Sequence, residues 1–299
     1  MKGLAGWVLL GWMAGMAGAQ TPATVQAEAK PAMWSVKGVH GTVYLFGTLH
    51  VMRPEVRWET AKVKAALASS GVLYTEIDDV GEAGMKAAQP LVMSMGLDPD
   101  HPLSTKIAKE DVAVLDGLAK SLGMVGESAV EPMQPWLVYL TISVLPAIRA
   151  GYDPASGIDR KLQDEAKAAG KRVLGFETMA DQIHLVADMS TAEQVALLHQ
   201  ELVDLPKSVA QLDEIVADWT TGEVEKIAAM DNDELKVKYP VLYERMLVKR
   251  NAGFAGSIAG MLKDPAAGTV FVAIGAGHLA GPDSVLKMLE ARGFVVVRE

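Results

Sequence analysis

The feature that most restricts the fold is a set of apolar runs that do not alternate with polar residues. Residues 42–50 read TVYLFGTLH, and residues 269–278 read TVFVAIGAGH. Between them lie VLYTEID (72–78) and RVLGFET (172–178). A strand with one solvated face alternates, whereas a strand covered on both faces reads as a continuous apolar run. Segments with helical spacing sit beside these runs. Val56, Val63 and Leu67 mark a stripe in EVRWETAKVKAALASSG, with Gly71 as its stop. Ile158, Leu162, Ala166 and Ala169 mark another in GIDRKLQDEAKAAG, which stops at Gly170. Apolar strands joined by helices give an α/β fold with a central, largely parallel sheet, flanking helices and helical insertions. MWSVKGVHGTVYLFG adds a hairpin around Gly38 and Gly41, and FVVVRE a last strand.

The first and last runs end in the same way. Each is followed by a glycine, two small or apolar residues and a histidine: Gly47 to His50, and Gly275 to His278. Each then leads into a helix, a glycine and a further strand. In open parallel sheets, ligands sit beyond the carboxyl ends of the strands. If the two strands are neighbours, His50 and His278 converge at one edge. Two imidazoles with a carboxylate are a ligand set for a divalent metal that leaves a position for water. Two carboxylates compete for the third place, Glu76 at the end of VLYTEID and Glu177 at the end of RVLGFET. One could bind the ion while the other acts as general base on a metal-bound water.

The intervening chain reads as helical, with insertions at about 83–155 and 180–262. LSTKIAKEDVAVLDGLAKSLG carries Ile107, Val114, Leu118 and Leu122 on one stripe, and the stretch 132–149 reads as a buried helix. Ser190 and Glu193 form a capping box that opens the helix EQVALLHQELVDL, which Pro206 ends. The stretch 208–262 reads as two or three further helices.

The first 19 residues have the form of a secretory signal peptide. Lys2 precedes a short apolar core, and Ala17-Gly18-Ala19 forms a cleavage site before Gln20. The apolar run is shorter than the roughly 20 residues needed to span a bilayer. The expectation is a periplasmic or secreted protein with no stable membrane insertion after cleavage. A flexible leader at 20–32 and a single domain at 33–299 follow. The sequence has no cysteine, which removes thiol catalysis and thiolate metal sites and leaves stability to the core. Net charge is −9 and no basic stripe appears, so nucleic-acid binding is disfavoured. No feature of the sequence fixes the oligomeric state.

The stretches YLFGTLHV, TEID, QPWLVYL, GIDRKLQDEAKAAGKRVLGFETMADQ, VKRNAGFAGSIAGML and FVAIGAGHLAGPDSVLKMLEARGFVV together resemble the TraB/PrgY/GumN family. The Tiki metalloproteases that act on Wnt proteins are relatives. The resemblance runs over about 34–298, and the paired Gly-x-x-His motifs and Arg250-Asn251 are its most specific parts. It implies a metal-dependent peptidase with manganese or cobalt as the ion and a peptide or protein as substrate, and zinc is a further candidate. His50 and His278 match the family's ligands, and Glu76 its early glutamate. Glu177 and Arg250 match further family positions. The absence of HExxH sets aside a thermolysin-like reading. The resemblance also admits a non-catalytic protein that binds a peptide or small ligand, and an accessory factor in surface-polysaccharide export.

Other residues left alternatives open. Arg250 reads either as an anion clamp or as the partner of Glu76 or Glu177 in a buried ion pair. Asn251 reads as a loop cap or a substrate contact. His40, His101 and His199 read as surface or packing residues, His184 as a minor candidate, and Trp136 as core.

Overall fold

The computed structural model describes residues 29–121 and 129–299. The signal-peptide reading of 1–19, most of the leader and Leu122 lie outside the described residues. A hairpin opens the fold, with β1 (Met33–Lys37) and β2 (Thr42–Thr48). There follow α1 (Ala61–Ser69), β3 (Val72–Ile77), α2 (Glu82–Gly96), α3 (Lys109–Ser121), α4 (Pro135–Arg149), α5 (Ile158–Ala168) and β4 (Arg172–Glu177). A helical stretch comes next: α6 (Met179–Ala187), α7 (Thr191–Asp204), α8 (Ser208–Thr221), α9 (Val224–Lys238) and α10 (Pro240–Tyr243). A π-helical turn (Glu244–Val248) then runs into α11 (Lys249–Lys263). The chain closes with β5 (Val270–Gly275), α12 (Val285–Ala291) and β6 (Val296–Arg298).

The strands form one sheet in the order β4-β3-β5-β2-β1-β6. β4, β3, β5 and β2 are parallel, and β1 runs antiparallel to both β2 and β6. The two similar phrases therefore lie side by side, as their sequences suggest. Their register pairs Val43 with Val270 and Thr48 with Gly275, so Gly275 sits one residue further along than Gly47.

Alternate residues of the inner strands feed two cores. On one face Phe46, Leu73, Phe271 and Ala273 pack with α1, α5 and α8. On the other face Leu45, Val270, Val272 and Ile274 pack with α11 and α12. A third core joins α2, α4, α6 and α7, with Trp136 and Tyr139 fully buried in it.

Several local expectations change. The helix expected from Glu55 begins only at Ala61, where the Thr60 side chain accepts from the Val63 N–H. Val56 is buried from a loop instead of from a helical stripe. The stretch from Leu103 is broken into a 3-10 turn (Leu103–Thr105) and α3. The buried stripe of α3 is Asp111, Leu115 and Ala119, and Val114 is exposed. Ala169 is exposed at the end of α5. β6 is a short edge strand whose Val297 is exposed, so FVVVRE is apolar without being buried on both faces. Within the stretch read as leader, the Lys30 N–H donates to the Thr220 carbonyl at 2.7 Å and Ala29 is buried.

Candidate functional site

Four parallel strands end at the same edge, and each delivers a candidate side chain there. β2 leads to His50 and β5 to His278, Glu76 is the penultimate residue of β3, and Glu177 is the last of β4. β5 lies between β3 and β2, so His278 is flanked by Glu76 on one side and by His50 on the other. His50, Glu76 and His278 line one cavity of about 70 Å³, and Glu177 and Arg250 lie outside its lining.

His278 is buried, and its tautomer can be read from its neighbours. The Asn251 amide group donates to the Asp283 carbonyl at 2.7 Å, which turns the Asn251 Oδ1 acceptor toward His278. His278 Nδ1 lies 2.6 Å from that oxygen and so carries the proton. Nε2 is left with its lone pair and receives an N–H from Arg250 Nη1 at 3.1 Å. Burial pushes the imidazole pKa down, Arg250 adds to this, and Glu76 only partly opposes it, leaving about 3. His278 is thus neutral, and its 3.6 Å approach to Glu76 Oε1 is not an ion pair. Asn251 is both a loop cap and the residue that orients the histidine.

His50 has the opposite character. Its Nδ1 lies 3.3 Å from Asp159 Oδ2. Burial lowers its pKa, but the Asp159 carboxylate, aided by Glu76, outweighs this and raises it to about 9. Asp159 reaches it because α5 begins against the His50 backbone. The Ile158 N–H donates to the Leu49 carbonyl at 2.8 Å. A Cβ at Gly157 would stand 2.2 Å from the His50 carbonyl oxygen, a distance no side chain tolerates.

Glu76, Glu177 and Arg250 form one buried network. Arg250 Nε and Nη2 donate to the two oxygens of Glu177, each at 2.8 Å, and Nη2 also donates to Glu76 Oε2 at 2.5 Å. Gln182 Nε2 donates to both carboxylates at 3.2 Å. The Gly275 N–H donates to Glu76 Oε1 at 2.7 Å, and a Cβ at Gly275 would sit 3.1 Å from that oxygen. Burial works against a charged Glu76, but Arg250, the protonated His50 and the Gly275 N–H hold its pKa well below the usual carboxylate range. Burial likewise opposes the Arg250 charge, and the two carboxylates keep it ionised. The structure therefore places Arg250 in an ion pair with both glutamates.

Two of these side chains have surroundings like those of a metal-ligating histidine. A ligating histidine commonly donates its second ring N–H to a carboxylate or carbonyl oxygen, which fixes the ring and leaves the other nitrogen for the ion. His50 with Asp159 and His278 with Asn251 are both arranged in this way. Even so, among the described residues no three His, Asp or Glu side chains converge as a closed ligand set. The Arg250 guanidinium engages Glu76, Glu177 and His278 Nε2 together.

Asp159, Gln182 and Thr48 were not singled out by sequence reasoning. Thr48 is 2% exposed, lines the cavity and has a hydroxyl with no partner. The remaining histidines stay outside the network. His40 is exposed in the hairpin turn. His101, His184 and His199 pair with Asp98, Asp188 and Asp111.

The chain is similar to an uncharacterized protein of Treponema pallidum (strain Nichols), 22% identical over 275 residues, which cover 87% of this chain and 80% of the relative. No solved structure matches it. The model of the TraB/PrgY/gumN family matches residues 32–298, and the chain belongs to that family.

Proposed function

We propose that the protein is an exported, divalent-metal-dependent hydrolase that acts on peptides. One observation carries this reading. Two histidines leave neighbouring parallel strands into one cavity, and each has its Nδ1 held by a buried oxygen acceptor. His50, His278 and Glu76 would hold the ion, with manganese or cobalt favoured and zinc admissible. An ion held there would supply Lewis-acid chemistry to activate water for attack on a peptide carbonyl. His50 must give up its proton to bind, and Asp159 then keeps the ring in place. Glu76 is ionised at neutral pH, so it is available as a ligand without a proton cost. Glu177, with both oxygens on Arg250, positions that arginine and through it Glu76. Arg250 holds Glu76 ionised and pairs with Glu177 beside it.

A second reading is a binding protein that uses the same cavity without catalysis. The closed Arg250 network favours it, because the network satisfies the buried carboxylates with no ion. Titration with cobalt(II), followed by its visible absorption, separates the two. A spectrum that develops with the native protein and is lost in His50→Ala and His278→Ala supports the metal reading. No spectrum at any pH between 6 and about 9 leaves the binding reading.

A further inference from the structure

The cavity has two chemically different halves, and they come from different parts of the chain. The strand ends and the turns that follow them supply its polar side chains, Thr48, His50, Glu76 and His278, beside the apolar Leu49 and Val51. The stretch between β4 and β5 supplies the walls: Leu212, Ile215, Ile227, Leu235, Met246 and Leu247. These six side chains carry no charge and no hydrogen-bonding group beyond one thioether, and none is aromatic. The polar wall residue, Asn232, already donates to the Gly277 carbonyl at 3.0 Å. Among the described wall residues a charged group would lose its hydration and find no charged partner, whereas an aliphatic group would only leave water.

Two further features point to an occupant. The Thr48 hydroxyl is buried without a partner, which is costly unless something completes it. It stands two residues before His50. The helix also widens into its π-helical turn at Glu244–Val248, and the successive residues Met246 and Leu247 both reach the cavity. Such bulges are frequent at functional sites.

Resting on the hydrolase reading, we propose that this cavity is the specificity pocket for an uncharged aliphatic side chain of a peptide. The Thr48 hydroxyl hydrogen-bonds the peptide backbone beside that side chain. The sheet then supplies the chemistry and the helical insertion the selectivity.

The test uses blocked tripeptides, N-acetyl-Ala-X-Ala-amide with X as Leu, Met, Phe, Lys or Asp. They are titrated calorimetrically into the full mature chain, and cleavage is followed separately by mass spectrometry. The Leu and Met peptides are expected to bind about tenfold or more tightly than the Lys and Asp peptides. Leu235→Ala enlarges the wall and should raise affinity for the Phe peptide relative to Leu, a gain that a misfolded variant cannot show. Thr48→Val should weaken all peptides by a similar factor and leave the Leu-to-Lys ratio unchanged. Equal affinity for the Leu and Lys peptides, no binding of any peptide, or an unchanged Phe-to-Leu ratio in Leu235→Ala overturns the proposal. The two readings fail separately. Peptides that bind with this preference but are never cut by metal-loaded protein remove the hydrolase and keep the pocket. Peptides cut without preference for X remove the pocket and keep the hydrolase.

Discussion

Replacing Arg250 with methionine removes the guanidinium and keeps most of the side-chain length. The arginine side chain is 3% exposed, and those of its partners Glu76 and Glu177 are 6% and 15% exposed. Removing one member of such a buried network leaves uncompensated charge, which costs about 3–5 kcal/mol. The upper half of that range fits, because two carboxylates that share the Gln182 amide would then face each other without a cation. The pH dependence follows from Glu76. Its folded-state pKa is depressed in the native protein, so its stabilising contribution is present above the unfolded value and is lost as pH falls. In Arg250→Met, Glu76 gains a proton more readily, so the stability deficit should shrink between pH 7 and pH 5. Urea unfolding followed by circular dichroism at both pH values measures this. Adding Glu177→Gln to Arg250→Met should recover part of the loss, because the second change removes a charge that the first left unpaired. A loss below about 1 kcal/mol at pH 7, or a deficit that widens on acidification, would refute the buried-network account.

Three further outcomes can be checked independently. The His50 ring should titrate near 9 by NMR in the metal-free protein, and Asp159→Asn should bring that value down, because the Asp159 carboxylate is what holds the proton on. Glu201, buried beside Asp204, has its pKa pushed up to about 8. The folded chain then binds more protons than the unfolded one from the ordinary carboxylate range up to about 8, and stability falls as pH rises through that window. Glu201→Gln should flatten that fall in urea titrations at a series of pH values, and an unchanged slope counts against it. N-terminal sequencing of exported protein should begin at Gln20, and retention of Met1 in a membrane fraction would contradict the leader reading.

The sheet was legible because strands buried on both faces leave continuous apolar runs, and TVYLFGT and TVFVAIG are such runs. Their side-by-side pairing followed from similarity, and the delivery of His50 and His278 to one edge followed from strand direction. Other features depend on tertiary partners far away in the chain. Arg250 could be read as clamp or ion pair until Glu76 and Glu177 were placed against it across separations of 174 and 73 residues. Asp159 is 109 residues from His50, and its nearest signal is Gly157, which has no room for a Cβ. Val114 fits a helical stripe by spacing, but α3 is turned so that Leu115 and Ala119 face inward. Glu55 to Thr60 have helical periodicity, yet the Thr60 cap sets a later start.

Metal content of the mature protein tests the central claim most directly. Native protein dialysed against manganese or cobalt at pH 8 and then freed of excess ion should retain one ion per chain by elemental analysis. His50→Ala and His278→Ala should retain none while unfolding in urea as cooperatively as the native protein. Asp159→Asn should retain less, because the ring it orients is a ligand. A native chain that retains no manganese, cobalt or zinc, or histidine variants that retain as much as the native protein, would contradict the account.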